Sequence, residues 1–384
     1  MRIRIATAKA ATAAPLAAAC VGLLLLTACS GPSSAHAPSP SAPAAPTGKN
    51  GDAPPEALAG RADTPRLPVP RGRGSRTADD FNGDGHRDLV IDDLVKAPED
   101  SHGDDAGIGI VYGSAGRALE PGSRRLLSAR THAAKFGDTL PAAFDAQTAC
   151  DLDADGFTDL IVATDPPYDG IGRPPVPLQV LFGSPGGLTG RAVTLRIPDT
   201  ARYGNEWPDH PVCGDFDGDE HTDLVVTAGE GRISHLRGPF TRAGAPRGAE
   251  SLPGGGPYLF APVPKADTNG DGYDDLVHTA KPHAPGAAAR GTLLLGTPNG
   301  PARPGGTYRF EAPPNGIPTA PVRGSGSAEP AETALLGYAD FDGDRKPDTV
   351  VRTHRGEEAD LIALYPATTP GRPGISFSTA LFLR

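Results

Sequence analysis

Carboxylates recur five times along this chain in the spacing Asp-x-(Asp/Asn)-x-Asp-x-x-x-Asp, and a β-prone run follows each copy. The copies begin at Asp80, Asp151, Asp215, Asp267 and Asp340, at intervals of 52 to 73 residues. Taking the first carboxylate as position 1, copy one supplies Asp80, Asn82, Asp84 and Asp88 at positions 1, 3, 5 and 9. Copy two supplies Asp151, Asp153, Asp155 and Asp159, and copy three Asp215, Asp217, Asp219 and Asp223. Copy four supplies Asp267, Asn269, Asp271 and Asp275, and copy five Asp340, Asp342, Asp344 and Asp348. Oxygen donors this dense repel one another unless a cation sits among them. Calcium suits such a set because it accepts six to eight oxygens in loose geometry, whereas magnesium is stricter and zinc or copper favours His or Cys.

Position 7, held by His86, Phe157, His221, Tyr273 and Lys346, is expected to contribute a backbone carbonyl. Its varied side chains agree with main-chain use alone, so His86 and His221 read as ordinary loop residues. An EF-hand loop would need a bidentate Glu at position 12. Here that position is Ile91, Val162, Val226, His278 and Val351. Runs such as Leu89-Val90-Ile91, Leu160-Ile161-Val162 and Leu224-Val225-Val226 read as buried strands, so the loops join strand to strand. Position 6 favours Gly for a left-handed backbone, but copies three and five carry Glu220 and Arg345. Weaker or differently shaped loops are expected there.

Each interval holds a second echo, a strand ending in a Gly turn: Ile108 to Ser114, Leu178 to Ser184, Ile233 to Gly238 and Thr292 to Thr297, with Leu361 to Tyr365 in the last. Four short strands per repeat suggest blades of a β-propeller. Fifty Gly and 43 Pro fit many turns and no long helix. The motif resembles the FG-GAP/VCBS repeat, the blade unit of integrin alpha-subunit propellers and many bacterial surface proteins. The likeness rests on Asp80 to Leu89 (Asp-Phe-Asn-Gly-Asp-Gly-His-Arg-Asp-Leu), on Asp215 to Leu224, and on Phe136-Gly137. It implies an all-β propeller with up to five structural Ca²⁺ ions, each between the first two strands of a blade. Five blades are expected over residues 71–384, with six or seven the alternative if the ends form calcium-free blades. The tail, Ile375 to Leu383, reads as a strand that completes blade five or pairs near Thr77, removing an exposed edge.

Arg2, Arg4 and Lys9 precede an apolar core ending Val21-Gly-Leu-Leu-Leu-Leu26, and Leu26-Thr-Ala-Cys29 follows. Residues 1–28 read as a signal peptide. The resemblance of its end to a bacterial lipobox implies cleavage before Cys29 and lipidation of its thiol; the alternative is a plain secretory signal. Residues 29–70 are rich in Pro, Ala and Ser and read as a disordered tether. The expected location is the outer face of the cell membrane, reached through the N-terminal lipid alone. Cys150 and Cys213 either form a disulfide, as an oxidising envelope permits, or are buried thiols. The formal net charge of −10 and the lack of a basic run argue against nucleic acid. The expected function is a surface-anchored binding or scaffold module for an extracellular protein or glycan, with Trp207 as one stacking candidate. The alternatives are a hydrolase or lyase acting on glycan or cell-wall material, and a structural partner of an envelope complex. No nucleophile elbow, His-Glu-x-x-His or phosphate loop supports the enzyme.

Overall fold

The computed structural model describes residues 64–96, 102–103, 105–319, 332–355 and 358–383. Residues 1–63, where the leader, Cys29 and most of the tether are expected, lie outside them. The described chain is a five-bladed β-propeller, one antiparallel sheet per blade. Blade one holds β1 (Leu89–Ile91), β2 (Ile108–Val111) and β3 (Arg124–Leu127). Blade two holds β4 (Phe144–Cys150), β5 (Asp159–Thr164), β6 (Leu178–Leu181) and β7 (Val193–Thr194). Blade three holds β8 (Val212–Gly214), β9 (Asp223–Thr227), β10 (Ile233–Arg237) and β11 (Gly248–Leu252). Blade four holds β12 (Tyr258–Phe260), β13 (Leu276–Thr279), β14 (Ala289–Leu295) and β15 (Arg303–Phe310). Blade five holds β16 (Thr333–Ala339), β17 (Asp348–Arg355), β18 (Glu358–Tyr365) and β19 (Ile375–Ser378).

The β-branched runs after each acidic loop form the second strand of a blade, and the Gly-ended runs form the third. Blade one has three strands where four were expected. The chain before Asp80 is rich in Pro and Gly and cannot supply a strand's ladder. It runs across the loops instead: Gly72 N–H donates to the Asn82 carbonyl at 3.0 Å, and Ser75 N–H to the Gly156 carbonyl at 2.7 Å. Residues 64–70, placed by composition at the end of the tether, also engage blade one. Leu67 N–H donates to the Gly122 carbonyl, and the Arg124 guanidinium donates to the Thr64 carbonyl.

Apolar residues of adjacent blades interlock into shared cores. Position 2 is the anchor in four of the five metal-type loops: Phe81 lies in the core between blades one and two, Leu152 between two and three, and Phe216 between three and four. Phe341 joins the core between blades five and one. Copy four has Thr268 at that place, and the apolar faces of blades four and five stay separate clusters. Among the described residues, an anchor too small and polar to enter a core leaves that seam without a shared apolar cluster.

The tail completes blade five, the first of the two expected routes, and among the described residues does not pair near Thr77. Ile375–Ser378 pairs with β18 as the outer strand of blade five. The expected strand then stops, and Thr379–Leu383 turns as a 3₁₀ helix. Its Leu381 and Phe382 join the core of blade one, where the Phe382 ring lies against Gly109. The Arg124 Nε–H donates to the Leu381 carbonyl at 2.9 Å. On the same seam the Arg352 guanidinium donates to the carbonyls of Asp92 and Asp93 at 2.6 and 2.7 Å. Cys150 and Cys213, on the first strands of blades two and three, form a disulfide with Cα atoms 6.4 Å apart.

Candidate metal centres

Each acidic loop folds around its own carboxylates. The position 1 carboxylate accepts backbone N–H groups from the middle of the loop: Asp80 from Asp84 and Gly85 at 3.2 and 2.7 Å, Asp151 from Asp155 and Gly156 at 3.1 and 2.8 Å. Asp215, Asp267 and Asp340 do the same, taking the N–H of Glu220, Gly272 and Arg345 among others. The position 5 carboxylate accepts the position 7 N–H in every copy, at 2.8 to 3.3 Å. Glu220 and Arg345 adopt φ of +67°, beside +86° to +90° at Gly85, Gly156 and Gly272. The expectation of differently shaped loops at copies three and five is therefore corrected. Hydrogen bonds to position 1 hold a non-glycine residue in the left-handed region, at a backbone cost of about 1 kcal/mol or more.

Position 9 ties loop to blade. Its carboxylate is buried in all five copies. One oxygen accepts the position 2 N–H in four of them: Phe81 to Asp88, Leu152 to Asp159, Thr268 to Asp275 and Phe341 to Asp348, each near 2.9 or 3.0 Å. The other accepts the N–H that ends the third strand: Gly113, Gly183, Gly238, Gly296 and, in copy five, Ala367. This accounts for the second echo in the sequence. A Cβ on any of the four glycines would lie 2.2 to 2.5 Å from the position 8 carbonyl oxygen, so the approach excludes a side chain.

Successive loops also bond to the following blade through the position 2 carbonyl. It accepts Ser184 N–H at Phe81, Phe240 N–H at Leu152 and Thr297 N–H at Phe216. The Phe157 ring covers Gly83 of the preceding loop, and Tyr273 covers Gly218. These position 7 side chains pack, while their N–H groups donate to the position 5 carboxylates.

The donor set fits a cation. Carboxylate oxygens of Asp151, Asp153 and Asp159 lie within 4.8 Å of one another, as do those of Asp215, Asp217 and Asp219, and of Asp340, Asp342 and Asp344. Loops one and four carry Asn82 and Asn269 at position 3, whose amides donate to Asp84 and Asp271. Three position 3 oxygens, Oδ1 of Asn82, Asp153 and Asp217, are buried without a hydrogen-bond partner. A buried acceptor left so costs about 1–3 kcal/mol, which a bound ion would recover. Burial pushes the Asp159 carboxyl up to about 8. Burial together with the neighbouring Asp155 pushes Asp153 up to about 6. Burial also raises Asp88, Asp151, Asp215 and Asp348. Asp267, on an exposed loop, is instead lowered by the N–H of Gly272.

Basic side chains stand at the loop mouths. The Arg242 Nε of blade three reaches across to Asp153 of blade two at 2.7 Å, and the same guanidinium pairs with Asp155. Arg247 pairs with Asp219, Arg303 with Asp271 at 3.3 Å, and Lys346 with Asp344 at 3.8 Å. The three arginines are invisible to motif reading, because they come from outside the loops they face; Lys346 lies in the same loop as Asp344.

At the opposite end of the blades, where the second strand turns to the third, aromatic residues gather around blades two and three. Tyr168 and Trp207 meet edge to face at 6.1 Å between centroids. The Arg232 guanidinium lies over Tyr203 at 4.5 Å. Ile171, in the same loop as Tyr168, is 80% exposed. Comparison with protein-family models gives no match, and comparison with curated proteins gives no relative.

Proposed function

We propose that this protein is a calcium-stabilised, FG-GAP/VCBS-type propeller that serves as an extracellular binding or scaffold module, held at the cell surface through a lipid on Cys29. The observation that carries the reading is the set of partnerless buried oxygens at position 3 of loops one to three, those of loops two and three lying within clustered carboxylates. Four of the five loops bridge adjacent blades through their position 2 anchors, so an ion that rigidifies one of them also fastens a seam. At extracellular calcium near 1 mM, a site at tenfold saturation adds roughly 1.4 kcal/mol. Five such sites sum to about 7 kcal/mol, comparable to the whole stability of an ordinary domain at about 5–15 kcal/mol.

The ligand-facing surface in this reading is the aromatic end formed by Tyr168, Ile171, Tyr203 and Trp207. Flat rings beside an arginine suit the apolar faces of a sugar or an extended peptide. The test is a glycan and peptide array probed with and without calcium. Binding that needs calcium and is lost in Trp207→Ala supports the reading. Elemental analysis of protein refolded in excess calcium, with no metal retained, would overturn its metal half; turnover on a glycan panel would redirect it to an enzyme.

A further inference from the structure

Blade three departs from the other four at one residue of its third strand. Three places before the glycine that ends the third strand, the blades carry Ile110, Val180, His235, Leu293 and, counting from Ala367, Leu364. Only blade three puts a titratable group there. His235 is fully buried, and its Nε2 lies 2.9 Å from Oδ2 of Asp223, the position 9 carboxylate. The Asp223 oxygen that elsewhere accepts the position 2 N–H is here engaged by imidazole. Donor atoms of Asp217, Asp223 and His235 all lie within 4.8 Å of one another.

Two polar atoms of this group are buried without a hydrogen bond: Oδ1 of Asp217 and Nδ1 of His235. The first belongs to the donor set itself. The second faces the neighbouring strand, where Glu250 is the register partner of His235; its Oε1 stands 3.7 Å away, held by the Arg237 guanidinium at 2.6 Å and one side-chain shift from the imidazole. A carboxylate behind a ligating imidazole is the usual support of a metal-bound histidine, because it fixes the tautomer that leaves the other nitrogen free to ligate. Oxygen-only cages favour calcium, whereas one imidazole among carboxylates shifts preference to the divalent transition metals, with zinc the common occupant of such mixed sets.

We propose that blade three holds a mixed nitrogen–oxygen site for a divalent transition metal such as zinc, with His235 Nε2, Asp217 and Asp223 as ligands and Glu250 positioning the imidazole. The proposal rests on the reading of these loops as metal sites, but assigns this one a different class of ion. Binding exchanges the His235–Asp223 hydrogen bond for two bonds to one ion. Three donors this close can share an ion at about 2.1 Å each after small side-chain shifts.

The experiment loads the chelator-stripped full chain with zinc and then dialyses it against about 1 mM calcium. One equivalent of zinc is expected to remain in the wild type and none in His235→Leu, which restores the apolar residue of the other blades. Glu250→Gln is expected to weaken zinc about 10–100-fold. Zinc lost from the wild type, or kept equally by His235→Leu, overturns the proposal. X-ray absorption at the zinc edge of the wild type needs no variant. Imidazole scattering supports the site, and an all-oxygen shell refutes it. Calcium binding measured in parallel separates the two readings: retained zinc with no calcium anywhere overturns only the calcium reading, and calcium without zinc overturns only this one.

Discussion

The buried carboxylate of Asp159 accepts the backbone N–H of Gly183 at 2.8 Å, and the same glycine lies so close to the Thr158 carbonyl that a Cβ would stand 2.4 Å from it. One aspartate therefore fixes where a loop ends and where the third strand of its blade turns. The relationship recurs at Asp88 and Gly113, Asp223 and Gly238, and Asp275 and Gly296.

Gly183→Ala must push the loop and the strand apart. We expect a loss of about 1–3 kcal/mol, the usual result of forcing a methyl into a filled space. Gly190→Ala, where an added Cβ meets nothing within 4 Å, should stay within about 0.5 kcal/mol. Thermal unfolding of the two variants side by side checks this.

Metal removal should invert the pH dependence of stability. In the metal-free protein Asp159 is raised to about 8 and Asp153 to about 6, in both chiefly by burial. The folded state then holds protons that the unfolded chain releases near its ordinary value of about 4. That stability is complete below about pH 4 and is lost as pH rises through 6 to 8. With chelator present, the melting temperature is expected to fall between pH 5 and pH 8.5. With calcium in excess it should hold or rise, because the ion needs the ionised carboxylates. A chelated protein that melts higher at pH 8.5 would contradict this.

Arg242 competes with an ion for Asp153 and Asp155. Its side chain is about half exposed, so the pair contributes only about 0.2–1 kcal/mol. Arg242→Gln should therefore tighten calcium at loop two by up to about fivefold while leaving the other loops unchanged. Calorimetric titration against an Asp155→Ala control, in which loop two is disabled, isolates that site.

Ring closure depends on Arg352, which pairs with the buried Asp360 at 2.6 Å and bonds two carbonyls of blade one. Arg352→Met leaves the Asp360 carboxylate buried without its guanidinium partner, and should cost about 3–5 kcal/mol. Replacing both, as Arg352→Met with Asp360→Leu, should recover part of the loss. Removing residues 375–384 takes away both β19 and the Phe382 plug, and an insoluble or unfolded product is expected. A soluble, cooperatively melting truncation would show that closure does not need the tail.

The blade count and the loop chemistry were legible because both are local. Donors at positions 1, 5 and 9 fold back on their own backbone, and β-branched runs after Asp88, Asp159 and Asp223 pair with the next strand, 6 to 22 residues on. The glycine echo was visible as a pattern, but its reason, the approach of Gly183 to Thr158, is a contact across 25 residues. Spacing could not show that Glu220 and Arg345 would take the glycine conformation, since hydrogen bonds from the whole loop hold them there. In the sequence His235 is one of ten histidines, with no spacing that ties it to a loop. Its signal, a polar residue in an otherwise apolar strand position, gains meaning only when the fold sets it beside Asp223 from the neighbouring strand. The sequence by itself determined five acidic hairpin loops, each feeding a buried strand, because those interactions span a few bonds. The tertiary structure alone decided how the ring shuts, which seam lacks a shared apolar cluster, which arginine faces which loop and which loop holds an imidazole. These depend on packing between blades, where residues distant along the chain compete for the same space.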